Sequence, residues 1–157
     1  MYNSLYISYL FILMVFFLPK QDLNAQSNPN LDTALVKIYG ADDYGMKMFT
    51  FVLLTSGDSM YSDKDFVQKC FKGHLLNIQA LVKEGKLIVA GPFGKNDKQY
   101  RGLFIFNSTE TTEVKSFLDR DPAIENHILK AEIIPWYGSA ALSAYLETAD
   151  KIWKVKP

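Results

Sequence analysis

Residues 73–93 read GHLLNIQALVKEGKLIVAGPF, and the hydrophobic period changes inside this stretch. Up to Gly85 the apolar residues keep helical spacing. Val67, Phe71, Ile78 and Leu81 recur at three- and four-residue steps, with His74 in the same stripe. Beyond Gly85, KLIVA over 86–90 is a short apolar run of strand type, closed by Gly91-Pro92. Gly85 stands where a left-handed residue would stop the helix. The pattern predicts a helix over 63–84, capped at its start by Ser62 or Asp63, then a buried strand.

Working outward, 46–54 (MKMFTFVLL) is a strand. Met48, Thr50, Val52 and Leu54 point one way and Phe49, Phe51 and Leu53 the other, so both faces are apolar. Gly57-Asp58 marks the following turn. After β-strand 86–90 comes a polar loop over 94–99, then a strand over 100–106 with Leu103 and Ile105 opposite Gly102, Phe104 and Phe106. Residues 107–109 begin a second helix, with Glu110 and Glu113 near its positive end and Val114, Phe117 and Leu118 on its buried face. Asn107-Ser108-Thr109 also fits a glycosylation acceptor, although capping explains it as well. Asp121-Pro122 opens a turn or short helix. The last strand covers 130–136 and stops at Gly138; Pro135 has no amide to donate, which places this strand at a sheet edge.

The order is β-α-β-β-α-β, an α+β arrangement of the ferredoxin-like, split βαβ kind. Two helices cover only one face of a four-stranded sheet, whereas the first and third strands are apolar on both. A second copy's sheet would cover the open face, giving a homodimer of the dimeric α+β barrel type. The alternative is a monomer whose leading helix and tail cap the sheet.

The ends of the chain read differently. Residues 5–18 (LYISYLFILMVFFL) are uncharged but shorter than the roughly 20 residues a membrane span needs. With a polar stretch ending at Ala25, residues 1–25 fit a cleaved secretory signal. The expected location is secreted or periplasmic, with no membrane anchor left after cleavage. Residues 26–45 form an extension with a weak helix over 31–39, carried by Leu31, Leu35 and Ile38 and ended by Gly40. Residues 46–138 are the domain. Residues 139–157 are a tail with a helix over 140–149 and a basic end.

Seventeen basic and seventeen acidic residues leave no electrostatic footprint for nucleic acid. One cysteine, Cys70, excludes an intrachain disulfide and a four-cysteine metal site. It falls on the apolar side of the helix, where burial is expected.

Several segments together resemble the YCII-related (YciI-like) family. They are Gly73-His74-Leu75, Gly85-Lys86-Leu87, Ala90-Gly91-Pro92-Phe93, Arg101-Gly102-Leu103-Phe104, Asp121-Pro122-Ala123 and Pro135-Trp136-Tyr137. The lead-in Asp43-Tyr44-Gly45-Met46-Lys47 resembles a secreted branch of it. The resemblance implies a dimeric α+β barrel and a His–Asp dyad at His74 and Asp121.

His74 has two readings from the residues alone: a neutral core histidine bonded to backbone, or a general acid/base, since imidazole ordinarily changes charge near neutral pH. Asp121 is either the cap of the turn at Pro122 or the group that orients His74; one carboxylate can do both. Arg101 and Tyr100 are candidate substrate-binding residues, or solvated residues at a strand start. Trp136 and Tyr137 are dimer contacts or a substrate cage. His127 is expected to be exposed. Neither metal-ligand spacing, a glycine-rich phosphate loop nor a serine elbow is present, so no cofactor or metal is implied. Two functions compete. One is a small-molecule lyase, isomerase or hydrolase using a His–Asp pair for proton transfer. The other is a non-catalytic envelope protein holding a small apolar ligand or a protein partner in the dimer cleft.

Overall fold

The computed structural model describes residues 28–154; the expected targeting segment over 1–25 lies outside the described residues. The chain divides between Leu31 and Asp32 into two units. The described part of the first is a short turn in which the Leu31 amide bonds the Asn28 carbonyl. The second carries everything that follows. Among the described residues no helix is long and apolar enough to cross a membrane.

The elements are α1 (Thr33–Tyr39), β1 (Met46–Ser56), α2 (Lys64–Lys83), β2 (Leu87–Pro92), β3 (Tyr100–Phe106), α3 (Thr111–Leu118), α4 (Pro122–Glu125), β4 (Leu129–Ser139), a 3-10 helix (Ala140–Ala144) and α5 (Tyr145–Ile152). The four strands form one antiparallel sheet in the order β2-β3-β1-β4. This is the ferredoxin-like arrangement expected from the element order, with β1 and β3 central and β4 at an edge, where Pro135 needs no partner for an amide.

Helix α2 forms where the stripe predicts. Asp63 caps it, its carboxylate accepting from the amides of Asp65 and Phe66 at 2.9 and 3.0 Å. At the other end Gly85 takes φ +69°, its amide bonding the Val82 carbonyl while the Lys86 amide reaches back to Leu81. These two bonds form a Schellman closure, which a residue with a Cβ would strain. Cys70 is buried, as its place on the stripe implied.

Residues opposite each other across the ladder share a face. Val52 stands between Phe104 and Ile133, Thr50 between Phe106 and Pro135, and Leu54 beside Gly102 and Ala131. This face packs against the helices, and its core joins Val52, Leu54, Phe104 and Phe106 to Leu81, Leu87, Val114, Phe117 and Leu118. The buried Thr50 hydroxyl donates to the Ser108 carbonyl at 2.7 Å. The opposite face carries Phe51 with Ile105 and Ile134, Leu53 with Leu103 and Glu132, and Phe49 with Trp136. Phe51, Leu53, Leu103 and Ile105 there are only half-buried.

Several boundaries differ from the sequence expectation. β4 does not stop at Gly138. Gly138 pairs with Lys47, and its missing side chain leaves room for the Trp136 ring, which a Cβ would meet at 2.4 Å. β1 continues through Thr55 and Ser56. β2 extends through Gly91 and Pro92 on the ladder to β3. α3 starts at Thr111 because Ser108 first closes a turn on the Glu110 amide and donates to Glu113. The tail is a 3-10 turn followed by α5 rather than one helix. The leading helix starts at Thr33 because Asp32 caps it.

Candidate active site

Gly73 is the pivot of the site. A Cβ at this position would lie 2.7 Å from the Pro122 ring, so α2 crosses the start of α4 at a separation only glycine allows. The next residue on α2 is His74, and the residue before Pro122 is Asp121. The close crossing therefore sets the two side chains against each other. Asn77, one turn on, adds a 3.3 Å bond from its amide to the Phe117 carbonyl and ties α2 to α3.

His74 Nδ1 lies 2.7 Å from Asp121 Oδ2. Asp121 is fully buried and the His74 side chain is 11% exposed. The other carboxylate oxygen of Asp121 accepts the Ala123 amide at 3.0 Å and so caps α4, while Pro122 occupies the first helical position. One carboxylate thus does both jobs that the sequence left open. With Asp121 ionised, Nδ1 carries the proton and donates it. The ring of His74 meets Phe71 edge-on at 6.2 Å and lies tilted against Phe104 at 5.8 Å, which hold its plane. Nε2 has no hydrogen-bond partner among the described residues, nor is it among the buried polar atoms lacking one, so it keeps contact with solvent. The arrangement is an oriented imidazole with one nitrogen committed and the other free, the geometry that proton transfer needs.

Arg101 and Tyr100 stand elsewhere. A register shift between Leu54 and Thr55 leaves Arg101 as the extra residue of a β-bulge at the start of β3. Its side chain is exposed, and its carbonyl accepts the Phe93 amide. The Tyr100 ring lies tilted against Phe93 at 6.2 Å, with Lys98 over it, and its backbone is clamped by Asn96. No hydrogen bond or ring contact joins either residue to His74 or Asp121 among the described residues. His127 is exposed, at φ +54°. Among the described residues no cluster of three histidine, cysteine or acidic side chains could hold a metal.

A second polar pair escaped the sequence reading. The Tyr137 hydroxyl donates to one carboxylate oxygen of Asp42, whose other oxygen accepts the Tyr44 and Met46 amides at 2.9 Å. Asp42 is held below the usual carboxylate range, first by Tyr137 and then by the Met46 amide, and Tyr137 is raised above the usual phenol range by Asp42. Asp42 in a turn ahead of a strand signalled an Asx turn, but nothing local pointed to a tyrosine 95 residues away.

No family model matches the chain, and no curated protein matches it. Among solved structures the chain is similar to 5-chloro-2-hydroxyhydroquinone dehydrochlorinase from Burkholderia phenoliruptrix AC1100, in its complex with 2,5-dihydroxybenzoquinone. Identity is 22% and the TM-score 0.38, over 55% of this chain and 92% of that one. A likeness of this extent carries no argument about what the chain does.

Proposed function

We propose that the domain is a small-molecule enzyme of lyase or isomerase type in which His74 takes and returns a proton through Nε2 and Asp121 holds its ring. The observation that carries this reading is the 2.7 Å bond between Nδ1 and a fully buried carboxylate. Asp121 fixes the tautomer and stabilises the imidazolium formed when a proton is taken. Proton abstraction beside a carbonyl or on an activated ring is the chemistry that one such pair supplies without a cofactor. The YCII-related resemblance of the segments around both residues supports the same assignment, and the uncharged run over 5–18 supports export to the periplasm or medium. In this reading a second copy covers the open sheet face, where Phe51, Leu53, Leu103 and Ile105 stay half-exposed.

The test is solvent-deuterium exchange, followed by NMR, over a panel of small ketones, aldehydes and phenols. The expected result is catalysed exchange for at least one compound, falling roughly 100-fold or more in His74→Ala with the circular dichroism spectrum retained. Exchange unchanged in His74→Ala would overturn the mechanism, as would no exchange above the uncatalysed rate for any compound.

One observation favours the second reading, a non-catalytic binding domain: neither of two surface grooves, one beside β2 and one at the start of α3, is lined by His74 or Asp121. A compound recovered bound and chemically unchanged, with no exchange in the assay above, is the outcome that this reading expects.

A further inference from the structure

The segment after β4 is not needed to complete the βαββαβ frame, yet it builds one wall of a groove of about 850 Å3. Tyr145, Ala149 and Trp153 stand along that wall, and the outer side of α2 from Leu76 to Lys83 faces them. Ile88 closes the bottom. A register shift between Leu87 and Val89 makes Ile88 the extra residue of a β-bulge, and it lies almost wholly buried among the lining residues.

We propose that this groove is a binding site for a small carboxylate with an apolar body, its body between α2 and α5 and its carboxylate at Lys83. The volume lies within the range of roughly 300–1,000 Å3 typical of small-molecule sites, which are mostly apolar with a few placed polar groups. Most of the lining is aliphatic or aromatic, and Leu76 on its rim is 57% exposed. Among the lining residues Lys83 is the one charged side chain. Neither its ammonium nor the Tyr145 hydroxyl has a hydrogen-bond or ion-pair partner among the described residues. A lone cation at the rim of an apolar groove selects an anion on an apolar molecule. Lys83 also lies in the last turn of α2, where the helix dipole favours a cation. That role would affect stability without creating any preference between ligands. The site uses neither His74 nor Asp121.

The experiment titrates dodecanoate and dodecan-1-ol, below their micellar or solubility limits, into the full chain carrying Trp136→Phe. Trp153 is then the remaining tryptophan and reports the groove; calorimetric titration of the unsubstituted chain checks that the substitution is harmless. The expected result is saturable binding of dodecanoate, about tenfold tighter than the alcohol, the lower end of what a charge-assisted bond supplies. Lys83→Met should bring the two ligands together, Ala149→Phe should remove binding of both with the fold intact by circular dichroism, and His74→Ala should leave binding unchanged. No saturable signal, equal affinity for acid and alcohol, or dodecanoate binding that survives Ala149→Phe would each overturn the proposal. Since His74→Ala acts on exchange activity and Ala149→Phe on dodecanoate, failure of one reading is distinguishable from failure of the other.

Discussion

The two faces of the sheet carry similar residues and have different fates. On one, Val52, Phe104 and Phe106 are shut beneath α2 and α3. On the other, Phe51, Leu53, Leu103 and Ile105 alternate with them along the same strands and stay half-exposed, while Ile134 and Trp136 are more open still. Alternation alone cannot distinguish these faces, because both are apolar. The difference teaches that the helices complete one core, while on the second sheet surface, among the described residues, Phe49 beside Trp136 is shut away and its neighbours along the strands are not. It also separates the face on which stability depends from the face on which the proposed association would have to act.

The largest effect expected is on the covered face. Phe106→Ala should cost about 3–5 kcal/mol in denaturant unfolding, since the side chain is fully buried among Leu87, Thr50 and Phe117. Leu53→Ala on the other face should cost about 1 kcal/mol or less in a monomer. A larger loss from Leu53→Ala that grows with protein concentration would sharpen the contrast by placing that face in a dimer. Equal, concentration-independent losses from both would break it.

The site belongs to the covered face and comes next in size. Asp121→Ala removes a helix cap and the acceptor for His74 together, and should cost about 2–4 kcal/mol. Asp121→Asn keeps one oxygen for the Ala123 amide and turns an NH2 towards Nδ1, which must then accept rather than donate, and should cost about 1–2 kcal/mol. Comparing the two by thermal melting separates capping from packing. Gly73→Ala must push Pro122 away and should destabilise by about 1–3 kcal/mol. In the exchange assay it should lower activity while Asn77→Ala, lacking that clash, should lower it less.

Much of this was legible in the chain. Asp63 and Gly85 bracket α2 because a cap and a left-handed stop are local chemistry. His74 shares the buried stripe because helical period is local as well. Where the reading fell short, a distant residue decides the conformation. Gly138 looked like a terminator, but it is the surface on which Trp136 lies. The bulges at Ile88 and Arg101 answer the register of neighbouring strands, which no single segment encodes. Arg101 reads in sequence either as a substrate-binding residue or as a solvated residue at a strand start, and the structure leaves it exposed on a bulge at the start of β3. The bond from the Tyr137 hydroxyl to Asp42 joins residues 95 apart, which the residues around either one do not announce.

The smallest expected effect concerns that bond, and its sign follows from its two members. Asp42 has a folded value below its unfolded one, so its contribution is present above the usual carboxylate range and is lost as pH falls through the folded value. Tyr137 has a folded value above its unfolded one, so its contribution is present below the usual phenol range and fades as pH rises through the folded value. Tyr137→Phe should therefore lower the melting temperature slightly at neutral pH, and the gap to wild type should narrow towards both strong acid and strong alkali. A gap that widens in acid would show that the bond does not contribute in this way. Because the bond ties an exposed end of β4 to the turn before β1, and Tyr137 is not among the buried core residues, it should leave the contrast between Phe106→Ala and Leu53→Ala unchanged.

The contact of Gly73 with Pro122 also bears on the order of folding. It joins a helix from the first βαβ half of the chain to a turn from the second, and the members of the His74–Asp121 pair stand 47 residues apart. Neither half alone contains the pair. A chain in which only one half has docked holds one member without the other, so closure of this long-range contact marks the chain's arrival at its complete topology.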